Sequence, residues 1–300
     1  MKKMKTSVLL LLFILLITKP FAQTETTEQL TVPLSNPGKA YSLKVHLVTG
    51  SIKITGYSGK DILVSINDDP SENLKNRSDE YNKIKINHFG ESATLFKKRN
   101  NDMDSAANGM KKISTSGSYE VVAKENDNNV SISTSNPNKA LNISLKIPQD
   151  VKIKVSTVNR GVEIENVKGE LEVSNTNGFI KLTNISGSVV ANTTNGNITT
   201  VFSSVDPKAP MAFTTFNGNV NVTLPADSKA NLKLNSERGD VYSDFDINID
   251  KTPSQVNTTK EPGMYKIKKD NAITGKINGG GAEISMKTWQ GNIYVKKAVK

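Results

Sequence analysis

Ile153-Lys154-Val155-Ser156-Thr157-Val158-Asn159 returns 18 residues later as Leu171-Glu172-Val173-Ser174-Asn175-Thr176-Asn177, and again as Val189-Val190-Ala191-Asn192-Thr193-Thr194-Asn195. The residues that follow keep the same step. Val162-Glu163-Ile164 is matched by Ile180-Lys181-Leu182 and by Ile198-Thr199-Thr200. Within each piece apolar and polar residues alternate, which is the period of a β-strand. Two short strands per unit, repeated at a near-constant step, are the sequence signature of stacked coils. The expected fold is therefore all-β: an elongated β-solenoid of about 18–22 residues per coil.

Outward from this stretch, a nine-residue step from first to second strand recurs. Leu43 and Val45 precede Ile52 and Ile54, Leu232 precedes Val241, and Ile284 and Met286 precede Ile293 and Val295. The pattern thus reaches both ends of the chain. Between the two strands stands a recurring turn: Thr176-Asn177-Gly178, Thr194-Asn195-Gly196, Phe216-Asn217-Gly218, Glu237-Arg238-Gly239 and Trp289-Gln290-Gly291, with Asn159-Arg160-Gly161 a looser version. Asn and Gly tolerate positive φ, so Asn159, Asn177, Gly178, Asn195, Gly196, Asn217, Gly218, Gly239 and Gly291 read as structural corners. A row of asparagines could hold a ligand or a metal. A stacked corner in which each amide bonds to the next coil is the simpler account.

Asn-Gly between alternating runs is also a hairpin signal, so an antiparallel meander or barrel is the rival architecture. The charges separate the two. At an 18-residue offset Lys152 falls on Glu170, Lys154 on Glu172 and Glu163 on Lys181, all of opposite sign. A hairpin about Asn177-Gly178 would instead set Glu172 near Thr183 and Glu170 near Ile185. Stacked coils explain these charges better.

Residues 1–22 read as a signal peptide cleaved after Ala22. Lys2, Lys3 and Lys5 precede an apolar run from Val8 to Ile17, and Pro20-Phe21-Ala22 supplies a small residue at the cut. The expected organisation is a single β-solenoid domain over 23–300, with an inserted loop region at 67–118 and a smaller loop at 250–263. No second long apolar run follows, so no membrane span is expected after signal removal. The expected location is extracytoplasmic: periplasm, cell surface or secreted. The chain has no cysteine, hence no disulfide and no thiol for a lipid anchor. Loss of Lys2, Lys3, Lys5 and Lys19 with the signal lowers the net charge from +10 to +6. With the lysines spread along the chain and export expected, no nucleic acid is expected as partner. A cell-surface glycan or an envelope protein remains as the partner class.

The repeats just quoted resemble a bacterial family of exported β-strand-repeat proteins regarded as candidate adhesins and of unknown function. The resemblance rests on Ser156-Thr157-Val158-Asn159, on Gly161-Val162-Glu163-Ile164-Glu165-Asn166-Val167-Lys168-Gly169, and on the Thr-Asn-Gly units that follow as far as Asn221-Val222-Thr223-Leu224-Pro225. It spans roughly 140–296 well and the N-terminal third loosely. It implies an extracytoplasmic solenoid. It carries no catalytic residue over, and architecture alone does not license function.

A search for chemistry yields little. His46 and His88 are the only histidines. His46 shares a polar strand face with Lys44, and His88 follows Ile84 and Ile86 in parity. Glu163, Glu165, Glu170 and Glu172 form the densest acidic cluster, the kind a polysaccharide-cleaving β-helix would need. Basic residues one coil away at three of these positions make ion pairs the simpler reading. No zinc spacing, calcium nonapeptide, phosphate loop or nucleophile elbow is present. A single tryptophan in 300 residues argues against an aromatic-lined cofactor pocket, so no catalytic, cofactor-binding or metal residue is assigned. Trp289 at its corner either stacks on sugars or covers the end of the core beside the last coil. Asp104-Ser105-Ala106 resembles an O-glycosylation site, and Lys97-Lys98-Arg99 and Lys111-Lys112 read as solvated charge. The functional expectation is a non-enzymatic envelope scaffold or adhesin. A periplasmic structural or sensing protein, docking a partner through 97–118, is one alternative, and a polysaccharide-active enzyme the other.

Overall fold

The computed structural model describes residues 28–68, 119–134, 139–250, 256–261, 264–269 and 272–299. The signal segment, His88, the Asp104-Ser105-Ala106 match and the 97–118 stretch lie outside the described residues. Every regular element among those described is a strand.

The strands build two walls of stacked coils. One wall runs through Asn129–Thr134, Tyr41–Thr49, Asp150–Asn159, Lys168–Ser174, the latter part of Ile180–Asn195, Met211–Asn217, Ala282–Gln290 and Ala230–Ser236, every neighbour parallel. The other runs through Leu141–Pro148, Ile52–Tyr57, Val162–Glu165, the start of Ile180–Asn195, Ile198–Val205, Val220–Leu224, Ile293–Lys297 and Val241–Ser243, again parallel. Ile180–Asn195 bends from the second wall into the first, and the walls join into one 20-stranded sheet wrapped round the core. The 18-residue register holds residue for residue: Lys152 with Glu170, Leu171 with Val189, Ile180 with Ile198. The step then widens, Val190 pairing with Ala212.

Parallel pairing decides between the two architectures read from the repeats. Antiparallel strands flank only the ends of this stack. Ile62–Asp68 lies between Leu141–Pro148 and Glu28–Val32, Val121–Asn126 pairs with Asn129–Thr134, and Ile273–Ile277 pairs with Ala230–Ser236 and Asn248–Ile249. Asn67 belongs to a strand rather than to the loop expected at 67–118. Part of the segment expected as a loop at 250–263 is a strand too, Val256–Glu261, in a hairpin with Met264–Lys269.

Coil order in space departs from coil order in the chain at both ends. The 41–57 coil sits between the coils of 129–148 and 150–165. The 282–297 coil sits between those of 211–224 and 230–243. The alternation explains why this is permitted. Every coil offers the same inward row of branched aliphatics and the same edge of backbone donors and acceptors, so any coil fits beside any other.

The core is a single column. Ile52, Ile54, Val162, Ile164, Ile180, Leu182, Ile198, Val220, Val222, Ile293 and Val295 are all at most 1% exposed. Each such side chain contributes about 1.5–3 kcal/mol by leaving water. The outward faces carry the charges. Lys152 bonds Glu170 at 2.8 Å and Lys154 bonds Glu172 at 2.7 Å. Glu163 and Lys181 are register partners, while Lys181 acts electrostatically on Glu165. These pairs are solvent-exposed, so they guide register more than they stabilise. Glu172→Gln is expected to lower the unfolding free energy by less than about 1 kcal/mol, checked by urea melts.

Candidate functional site

Each corner between the walls is built from a four-residue pattern. Its first residue points inward, and at four corners its hydroxyl caps the neighbouring coil, as the Asn175 amide does by donating to the Arg160 carbonyl. Thr193 donates to the Gly178 carbonyl at 3.1 Å, Thr215 to Gly196 at 2.9 Å, Thr288 to Gly218 at 2.8 Å and Ser236 to Gly291 at 2.8 Å. The third residue forms an amide ladder. Asn177 donates to Asn159 at 3.3 Å, Asn195 to Asn177 at 2.8 Å and Asn217 to Asn195 at 2.7 Å. Here the asparagines spend their amides on one another.

The fourth residue is glycine for a reason the sequence does not display. Gly178, Gly196 and Gly239 do not have positive φ, whereas Gly218 and Gly291 do. What they share is closeness to the next coil. A Cβ on Gly178 would lie 1.8 Å from the Arg160 carbonyl oxygen, on Gly196 2.2 Å from that of Gly178, and on Gly239 2.1 Å from that of Gly291. The corner backbones therefore approach to a distance that excludes any side chain. A second ladder runs just past the glycines, with Asn197 accepting from the Asn219 N–H, Asn219 from Asn292, and Asn292 from Asp240.

The second residue of the pattern faces solvent on each of these coils. Threonine stands there at 176 and 194 and glutamate at 237. On the two adjacent coils 211–224 and 282–297 it is Phe216 and Trp289. Their rings stack, with centroids 5.8 Å apart and planes 5° from parallel. They remain 48% and 39% exposed. On the outer face of the second wall Tyr294 and Tyr242, register partners, also stack at 5.2 Å and 12°. Tyr242 is 49% exposed. Polar groups border the tyrosine pair. The Asn292 amide donates to the Tyr294 hydroxyl at 3.0 Å, the Tyr242 hydroxyl donates to Asp240 Oδ2 at 3.3 Å, and the Lys296 ammonium lies 5.5 Å from the Tyr294 ring centre. The Asp240 carboxylate raises the pKa of Tyr242.

Trp289 thus does not cover an end of the core. Its coil is intercalated, with strands of 211–224 on one side and 230–243 on the other, and the column beneath is closed by Phe213 and Met286, both 0% exposed. The tyrosines escaped the sequence reading, although a signal was there. Gly239-Asp240-Val241-Tyr242 and Gly291-Asn292-Ile293-Tyr294 share one pattern.

The remaining sequence candidates do not converge. His46 is exposed between Ser133 and Ser156 of the adjacent strands. Glu165 accepts a hydrogen bond from the Thr55 hydroxyl at 2.8 Å and lies 3.5 Å from Lys53. The hydroxyl chiefly, and the lysine charges with it, hold its carboxyl below the usual range. Among the described residues no group of three or more His, Cys, Asp or Glu is placed to hold a metal. No helix among them is long and apolar enough to cross a membrane.

Residues 149–296 match the family described as Toastrack DUF4097, which bears out the resemblance read from the same repeats. No curated protein matches the chain. Two solved structures are similar to it. A candidate cell adhesion protein from Clostridium sporogenes ATCC 15579 is 13% identical, covering 91% of this chain and 99% of that one at a TM-score of 0.45. A candidate adhesin from Bacteroides fragilis NCTC 9343 is 9% identical, covering 92% and 98% at a TM-score of 0.38. Likeness this distant carries no argument about function.

Proposed function

We propose that this Toastrack-like chain is a non-enzymatic, extracytoplasmic scaffold that presents its exposed aromatic residues for adhesion. The observation that carries the reading is the exposure of Phe216 and Trp289 on strands whose inward side chains Phe213 and Met286 already close the core. Folding does not require aromatics there, since threonine and glutamate occupy the same slot on other coils. Exposed aromatic area kept on a rigid frame is the usual mark of a binding surface.

The acidic cluster supports a non-catalytic reading. Glycoside cleavage needs one carboxyl held protonated beside another that is ionised. Glu165 is pushed the opposite way by the Thr55 hydroxyl, and Glu170 and Glu172 are engaged by lysines. The signal-like N-terminus supports the location.

The location is tested by placing an epitope after Lys300 and treating intact cells with protease. Loss of the epitope is the expected result. Protection until the outer membrane is opened would remove adhesion and leave a periplasmic scaffold.

A further inference from the structure

We infer that Asn278 is a site of spontaneous hydrolytic deamidation, and that the stacked coils shield the three corner Asn-Gly pairs from the same reaction. The inference goes beyond the scaffold reading and does not rest on it.

Asn-Gly is the dipeptide most prone to this reaction, because glycine sets no side chain in the way of its own nitrogen. Four such pairs lie among the described residues: Asn177-Gly178, Asn195-Gly196, Asn217-Gly218 and Asn278-Gly279. A fifth, Asn108-Gly109, lies outside them. In the reaction the glycine nitrogen gives up its proton and bonds to the asparagine Cγ. The Cγ–Nδ2 bond breaks, and that nitrogen takes up a proton and leaves as ammonia. A five-membered imide remains. Water opens it at Cγ to give aspartate, or at the backbone carbonyl carbon to give isoaspartate. One water is consumed and one ammonia released, with no oxidant or reductant.

The nitrogen must swing onto the side chain before it, and at the corners it is held. The Gly178 N–H donates to the Asn195 carbonyl at 2.9 Å, that of Gly196 to Asn217 at 2.8 Å and that of Gly218 to Gln290 at 2.8 Å. The backbone is wedged as well, since a Cβ on any of these glycines would lie 1.8–2.2 Å from a carbonyl oxygen of the adjoining coil. Ring closure there first requires the corner to open against bonds to the coils on both sides.

Gly279 differs on each count. Its N–H has no acceptor among the described residues, and nothing lies within 4 Å of its added Cβ. Asn278 and Gly279 are both exposed, so water reaches the imide. The reaction also has a structural consequence. The Asn278 amide nitrogen donates to the carbonyls of Ala226 at 3.0 Å and Ser228 at 2.7 Å. It thereby ties the turn closed by Ser228 N–H on Pro225 to the turn closed by Gly280 N–H on Ile277. Neither product keeps those donors, and the new carboxylate repels both carbonyl oxygens. The tie is cut in one direction only.

The test incubates the folded full chain at mildly alkaline pH, where the glycine nitrogen deprotonates more readily. A parallel sample stands in urea concentrated enough to unfold it, as checked by circular dichroism. Trypsin releases Ile277–Lys287, whose one asparagine is Asn278. Tandem mass spectrometry assigns the mass gain to each asparagine, and chromatography separates aspartate from isoaspartate. In the folded chain Asn278 is expected to convert more than about tenfold faster than Asn177, Asn195 or Asn217, because only the corners must open first. Both products should form, and in urea the four rates should be similar. The inference is overturned by a smaller lead in the folded chain, by the same lead persisting in urea, or by aspartate forming without isoaspartate. Asn278→Asp, which imitates one product, should unfold at lower urea than the parent. An unchanged midpoint would overturn the tie between the two turns.

Discussion

Ile180→Asp is expected to lower the unfolding free energy by about 4–5 kcal/mol at neutral pH. Ile180 is 0% exposed and stacks between Val162 and Ile198 in the middle of the column. The substitution removes a fully buried apolar side chain and leaves a carboxylate with no basic partner inside. Burial would raise the pKa of that carboxyl, so the sign of the pH dependence is fixed. Its folded pKa would lie above its unfolded one, and the variant's deficit should shrink as pH falls towards about 4, where the acid protonates in both states. Urea melts at both pH values check this. Lys181, one residue on, faces solvent, and Lys181→Ala should cost well under about 1 kcal/mol. Unchanged melting of Ile180→Asp would mean that the strand faces the other way, because a one-residue slip exchanges every inward and outward side chain.

Gly218→Ala is expected to cost about 3 kcal/mol, although it adds one methyl group at the surface. Two effects add. The φ of Gly218 is +149°, and its Cβ would lie 2.1 Å from the carbonyl oxygen of Gly196. That oxygen is backbone and accepts from Thr215 at 2.9 Å, so it cannot move without loosening the coil below. The Gly218 N–H is itself held by the Gln290 carbonyl at 2.8 Å from the coil above. Gly38→Ala separates the two effects. Gly38 also has positive φ, +86°, but nothing lies within 4 Å of its added Cβ. A cost near 1 kcal/mol is expected there from conformation alone. Equal losses in the two variants, measured by thermal melts, would show that close approach of the corners contributes nothing.

The two substitutions fall on opposite sides of what can be read from residues in order. Ile180 is legible as a core position, because alternation and an 18-residue step assign its face without any tertiary knowledge. Gly218 is legible only as a turn. Its constraint is the distance to Gly196, set by hydrogen bonds between coils, and a string of residues carries no such distance. The asparagine ladder is intermediate. Spacing predicts that Asn159, Asn177, Asn195 and Asn217 line up, and the amides do bond in that order. The corner aromatics are illegible for a different reason. Phe216 and Trp289 are 73 residues apart, and chain order puts the 230–243 coil between them.

By itself the sequence determined the parallel stacking of short strands, the inward column, and the opposite charges facing one another at Lys152–Glu170 and Lys154–Glu172. Those features are periodic, and a period is a local property that every copy of the repeat restates. Only the tertiary structure decided that the first and last coils are slotted between others, and hence which outward side chains become neighbours. Since each coil buries the same kind of face and offers the same backbone edge, the repeat leaves the order of stacking degenerate. That order of stacking brings Phe216 onto Trp289 and Tyr242 onto Tyr294.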